Sequence, residues 1–309
     1  MNPETKATGK QIQEICRRYN IQYRFHSRVT VGFNHELHRL NDDLVIKIYN
    51  VHGEDDSKRF RLESALLAYD APFLKPRLIA SDDTRQLIDR DYVIMSFVPG
   101  KSLGSVWHLG SDEQREKVIK TICNSLKVIN TLSLPGNNRS GQHDWGAMVR
   151  GRFEGYITNL LAKSIIDTQA AQKARIYFDK NSKTLSSSIV YPVYWDIHFD
   201  NFIVDDDFNL LAMIDLESVR LASLDYPLFT IQTMMNYPKS YLSEEGEKFA
   251  NKVDYKNLKY WYQRYYPEMF RFDGLCKRID LYMLLDTLHM LEDWSHVKRL
   301  YDELNRIIS

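Results

Sequence analysis

One stretch constrains this chain more than any other: Tyr194-Trp195-Asp196-Ile197-His198-Phe199-Asp200-Asn201, then two apolar runs, Phe202 to Val204 and Leu210 to Ile214, and then Asp215-Leu216-Glu217. The two runs read as a strand hairpin. An Asp, an Asn shortly after it and a second Asp beyond the hairpin are thereby brought to one place. That order suits phosphoryl transfer, in which one carboxylate orients an acceptor hydroxyl while an amide and another carboxylate hold Mg²⁺ on nucleotide phosphates.

Taken singly, Asp196 reads as a turn residue, His198 as a packed histidine and Asn201 as a capping amide. Together, in this order and with this spacing, they resemble the catalytic loop and metal-binding segment of the aminoglycoside phosphotransferase and choline kinase superfamily. Members commonly carry His-Gly-Asp-x-His-x-x-Asn here, so the match covers Asp196, His198 and Asn201 and departs at Tyr194 and Trp195. The resemblance implies an α/β (α+β), two-lobed protein-kinase-like fold with a small β-rich N-terminal lobe and a larger, mostly helical C-terminal lobe. The expected division is 1–98, including the hinge strand, and 99–309. It further implies Asp196 as the residue acting on the acceptor hydroxyl, His198 as support for the loop, Asn201 and Asp215 as Mg²⁺ ligands, and ATP or GTP as cosubstrate.

Upstream, Leu44 to Tyr49 is a β-branched strand that places Lys47 inside an apolar run. A buried ammonium needs a partner, and a nucleotide phosphate together with a helix glutamate would supply one. The next element, Lys58 to Tyr69, is an amphipathic helix that carries Glu63. Alone, Glu63 reads as a solvated residue among Lys58, Arg59 and Arg61; its position after Lys47 and before the catalytic loop reverses that preference. Gly32, in the turn between the runs Tyr23 to Val31 and Glu36 to Leu40, is the candidate for backbone approach to phosphates. Tyr92 to Val98 reads as a buried strand ending at Pro99-Gly100. By resemblance it is the interlobe hinge, with the Ser96 carbonyl and the Val98 amide on the adenine edge and Met95 behind the base.

Other classes are disfavoured. Lys plus Arg equals Asp plus Glu at 41 each, so no net field would hold the chain on a nucleic acid or an anionic membrane. Cys16, Cys123 and Cys276 have neither disulfide-framework nor zinc spacing, which fits a reducing, cytoplasmic setting. No apolar run approaches signal-peptide or membrane-spanning length. The acidic run Asp205 to Asp207 lacks EF-hand spacing and reads as an exposed turn.

Beyond the catalytic segment, Asp225 is a candidate brace for the loop. The protein-kinase activation segment and its Ala-Pro-Glu motif are missing after Asp215, which points to a small-molecule hydroxyl acceptor. Asp280 to Leu300 reads as one long helix presenting Asp286, His289 and Asp293 on a single face. With the aromatic group Trp261, Tyr262, Tyr265 and Tyr266, that face suits an aminoglycoside, a choline-like compound or another amine-bearing alcohol. The alternative is a catalytically weak or inactive kinase-like module that binds nucleotide or a partner.

Overall fold

A computed structural model describes residues 6–29, 35–50, 54–70, 72–134, 141–186, 189–242 and 244–309. The chain opens with helix α1 (Gly9–Arg18), started by a reciprocal capping box between Thr8 and Gln11. Strands β1 (His26–Val29), β2 (Glu36–Leu40) and β3 (Leu44–Ile48) follow, then α2 (Glu54–Ala68), β4 (Leu78–Asp82) and β5 (Tyr92–Ser96). These strands form one antiparallel sheet in the order β1-β2-β3-β5-β4.

Alternation along β3 divides its side chains between two cores. Leu44, Ile46 and Ile48 join Ile12, Ile15 and Cys16 of α1 in one cluster. Tyr49 belongs to the other, with Phe60, Leu66 and Leu67 of α2. Lys47 points away from α1 for the same reason, and so faces α2.

The remaining elements are β6 (Lys101–Ser102), α3 (Leu103–Val106), α4 (Asp112–Ile129), β7 (Gly141–Gln142), α5 (Trp145–Ala162), α6 (Thr168–Asn181), β8 (Ile189–Tyr194), β9 (Phe202–Val204), β10 (Leu210–Met213), β11 (Val219–Ala222), α7 (Leu228–Asn236), α8 (Glu244–Glu247), α9 (Leu258–Tyr265), α10 (Leu275–Asp293) and α11 (Lys298–Ile308). Two small sheets, β10-β9-β6 and β11-β8-β7, carry the catalytic segment on this helical body. The expected small sheet lobe and larger helical lobe are both present. The single helix expected over Asp280 to Leu300 is two: α10 ends at Asp293, and a turn at Trp294 to Val297 separates it from α11. Apolar spacing continued across the break because both helices bury leucines against the same core.

Asp225 turns out to be a clamp within the helical lobe. It is fully buried just before α7, where Arg278 of α10 grips it with Nε to Oδ2 at 2.5 Å and Nη2 to Oδ1 at 2.8 Å. Tyr282 donates its hydroxyl to the same carboxylate at 3.2 Å and accepts from the Trp145 indole at 2.8 Å. The carboxylate is therefore spent on α10. Removing one partner of a buried pair leaves an uncompensated charge, which typically costs about 3–5 kcal/mol. Asp225→Ala should lower the denaturant midpoint accordingly with an unchanged m-value, and a loss below about 1 kcal/mol would mean the clamp is unimportant.

Candidate active site

Lys47 sits at the meeting point of the two lobes and is only 1% exposed. Its ammonium donates to Glu63 Oε2 and to Asp215 Oδ1, each at 2.8 Å, and lies 3.2 Å from Glu217 Oε2. Burial opposes the charge, but Asp215, Glu63 and Glu217 outweigh it and hold the lysine protonated well above its ordinary range. Glu63 is fixed in turn: the Tyr49 hydroxyl donates to Oε2, and the Leu216 amide donates to Oε1 at 3.1 Å. Glu217 is fixed by His35, whose Nε2 is 2.9 Å from Oε2. Burial would raise the Glu217 carboxyl, yet Lys47 and His35 together hold it at about 2.

The catalytic loop is tied to this cluster through its backbone. β8 delivers Tyr194, whose hydroxyl donates to the Ile214 carbonyl at 2.7 Å. The Ile214 amide donates to the Asn201 carbonyl at 3.0 Å, so the far end of the β9-β10 hairpin returns to where it began. Asp215 then adopts a left-handed backbone, φ 54° and ψ 48°, a conformation that Asp tolerates better than most residues. Its side chain is 47% exposed toward the cleft while still reaching Lys47.

Within the loop, Asn201 Nδ2 donates to the Asp196 carbonyl at 2.9 Å and approaches Asp196 Oδ2 at 3.4 Å. His198 Nε2 is 3.5 Å from the same carboxylate oxygen, and its ring stacks on Tyr241 with centroids 5.6 Å apart. Burial works against a charged His198, but Asp196 more than compensates and raises its pKa. Asp200 faces the other way and accepts from Ser102 Oγ at 2.8 Å. A Cβ on Gly104 would collide with that carboxylate, so the glycine is what lets α3 approach it. Phe199 anchors the loop from behind, 4.3 Å from Trp107 between ring centroids.

Asn201 and Asp215 offer hard oxygen donors, and Asn201 uses its amide nitrogen on Asp196, which leaves Oδ1 for a ligand. No group of three or more His, Cys, Asp or Glu suited to a metal occurs among the described residues. Two protein oxygens fit Mg²⁺, which keeps water and phosphate oxygens as its other ligands, better than an ion needing a full protein cage.

At the other sites, β5 ends at Ser96, whose amide donates to the Arg77 carbonyl at 2.9 Å while Oγ accepts from the Arg77 amide. Phe97 N donates to the Asp43 carbonyl at 2.7 Å, which turns the chain toward Val98. Gly32 lies outside the described residues.

The sequence profile of the APH phosphotransferase enzyme family matches residues 28–250, most of the chain and all of the segments above. The chain belongs to this family. A search of curated proteins by sequence gave no match. Among solved structures, the ADP-bound aminoglycoside phosphotransferase APH(2'')-Ib is similar with a TM-score of 0.66 at 12% identity, covering 98% of this chain and 97% of that one. The GDP and kanamycin complex of APH(2'')-IIia gives 0.69 at 12% identity, covering 96% and 98%. Aminoglycoside phosphotransferase APH(4)-Ia gives 0.67 at 12% identity, covering 97% and 98%. At this identity the likeness is one of fold. This phosphotransferase fold is the kinase-like arrangement that the catalytic segment implied.

Lys47, Glu63, Asn201, Asp215, Asp196 and His198 are thus brought to one cleft of the phosphotransferase. His35, Tyr49 and Glu217 complete the lysine cluster and had no role assigned from sequence. Glu217 follows Asp215 by two residues in the Ile214 to Glu217 segment, and that spacing was the available signal. The aromatic group splits up. Trp261 and Tyr262 are buried core, with Trp261 packed edge-on to Trp107, and Tyr265 donates to Glu116 of α4 at 2.8 Å. Of these rings, Trp261 backs the catalytic loop by way of Trp107 and Phe199.

Proposed function

We propose that the chain transfers the terminal phosphate of ATP or GTP to a hydroxyl of a small molecule, with Mg²⁺ as cofactor. The observation that carries this reading is Lys47 held between Glu63 and Asp215 while the Ile214–Asn201 backbone bond fixes Asp215 beside the Asp196 loop. In this reading Lys47 binds the nucleotide phosphates, and Glu63 keeps its ammonium aimed at them. Ser96 and Val98 present backbone groups to the base, and Gly32 lies in the loop over the phosphates. Mg²⁺ bound through Asn201 and Asp215 would offset charge on the phosphate oxygens. Asp196 orients the acceptor hydroxyl and takes its proton late, as a loose transition state allows, and His198 steadies the Asp196 carboxylate.

An amine-bearing acceptor, the class named for several structural neighbours, would need free carboxylates. Of the two expected for it, the inner one is poorly disposed. Asp286 accepts from the Tyr241 hydroxyl at 3.2 Å, and burial, with Asp196 nearby, pushes its carboxyl up to about 7, where it carries only part of its charge. Asp293 is exposed at the end of α10.

The test is release of nucleoside diphosphate above a no-acceptor blank, with ATP and GTP offered alongside a panel of hydroxyl compounds. Asp215→Asn should abolish the Mg²⁺-dependent part of that release while the melting temperature stays within a few degrees of wild type. Nucleotide binding without turnover on any hydroxyl compound would replace this reading by that of an inactive binding module, and full activity in Asp215→Asn would remove the metal-ligand role.

A further inference from the structure

Arg220, beside the catalytic loop, feels two further arginines from separate elements, with no carboxylate among the groups that act most strongly on it. Arg220 of β11 lies over the ring of Trp195, its guanidinium carbon 4.3 Å from the centroid, and Trp195 immediately precedes Asp196. The strongest charged and titratable neighbours of Arg220 are Tyr226, Arg152, Arg59 and Tyr156. Arg152 and Tyr156 stand one turn apart on α5, and the Tyr156 ring is 5.3 Å from that of His289 on α10. Arg59 reaches across from α2 and meets Glu217 only at 4.0 Å. Two donors of this cluster, Arg152 Nη1 and Trp195 Nε1, are buried without a hydrogen-bond partner. Glu292 and Asp293 bear on His289 from the far end of α10, and Glu292 already accepts from Asn159 at 2.8 Å.

Buried donors without acceptors cost free energy, and like charges gathered in a half-buried place cost more, unless an anion joins them. We propose that the acceptor carries an anionic oxygen group, carboxylate or phosphate, as well as its hydroxyl, and that Arg220, Arg152 and the Trp195 indole N–H bind that group next to Asp196. The proposal rests on the phosphotransferase reading of the same cleft. Burial first, and then Arg152 and Arg59, lower the Arg220 pKa to about 10, so an incoming anion would meet a guanidinium still charged at neutral pH. In the step itself the acceptor oxygen bonds to the terminal phosphorus as the bond from phosphorus to the bridging oxygen breaks. The nucleoside diphosphate leaves with that electron pair, and the hydroxyl proton passes to Asp196.

Matched probes on the full chain with MgATP test this: glycerate and glycerol 3-phosphate as anions, glycerol as the neutral reference, and 3-amino-1,2-propanediol and kanamycin as cations. Diphosphate release should favour an anionic probe, and glycerate against glycerol 3-phosphate separates carboxylate from phosphate. Arg152→Gln and Arg220→Gln should each raise the anionic KM by roughly tenfold or more, the scale of a lost charge-assisted hydrogen bond, with a smaller change in kcat. Arg152→Lys should restore part of the loss, and ATP affinity should not move in any of the three. In parallel, titration of inorganic phosphate and tartrate in the presence of MgADP should show binding that the double Gln variant loses. Turnover confined to glycerol or the amines, an unchanged KM in both Gln variants, or anion binding equal in wild type and double variant would overturn the proposal. Absence of ATP binding would instead count against the phosphotransferase reading itself.

Discussion

Asp196→Asn should leave MgATP affinity within a small factor and lower turnover by roughly 10²-fold or more, the scale usual for a positioned base. The geometry gives the reason for this split. Asp196 is held by Asn201 and His198 and forms no hydrogen bond or ion pair with Lys47, Glu63 or Glu217, so the nucleotide cluster survives its neutralisation. Asn can still accept from Asn201, which preserves the loop while removing the group that takes the proton. Saturation binding of a fluorescent ATP analogue alongside steady-state turnover checks both halves. Collapsed nucleotide affinity with surviving turnover at saturation would show that Asp196 serves the nucleotide.

Lys47→Ala should abolish transfer and also destabilise the fold. The ammonium satisfies Glu63, which is 1% exposed, and neighbours Glu217, whose side chain is 9% exposed. Without it, carboxylates in a dry pocket lose their countercharge, a loss on the order of 3–5 kcal/mol for a broken buried pair. Asp215 adds little to that figure because its side chain is half in solvent. Adding Glu63→Gln to the Lys47→Ala background should restore part of the stability and none of the transfer. Urea midpoints of the wild type and both variants test the first statement, and diphosphate release tests the second. A Lys47→Ala protein as stable as wild type would mean that the lysine pairs only when nucleotide is bound.

The two effects have different origins, and the difference shows how far the sequence reaches. The family's fold carries a few residue types in a fixed chain order, and Lys47, Asp196, Asn201 and Asp215 stand in that order, so the fold was legible. Glu63 was legible only by its place between two stronger signals. Beyond that, chain order gave no guidance. Asp225 had the right position for a loop brace, but its partner lies on a helix some fifty residues further on. Trp261 and Tyr265 read as part of the acceptor side because a short aromatic run looks the same whether it lines a cleft or fills a core.

Local spacing determined by itself the strand that buries Lys47, the helix that carries Glu63, and the hairpin that returns Asp215 to Asn201, since each depends on periodicities of two or 3.6 residues within one segment. Tertiary structure alone decided which charges meet. Glu217 and His35 join the lysine cluster, Arg278 takes Asp225, and Arg220 lies over Trp195 within the electrostatic reach of Arg59 and Arg152, each from a different element. Electrostatic partnership depends on distances of a few ångströms through space, and residues far apart in the chain acquire such distances only when the elements pack.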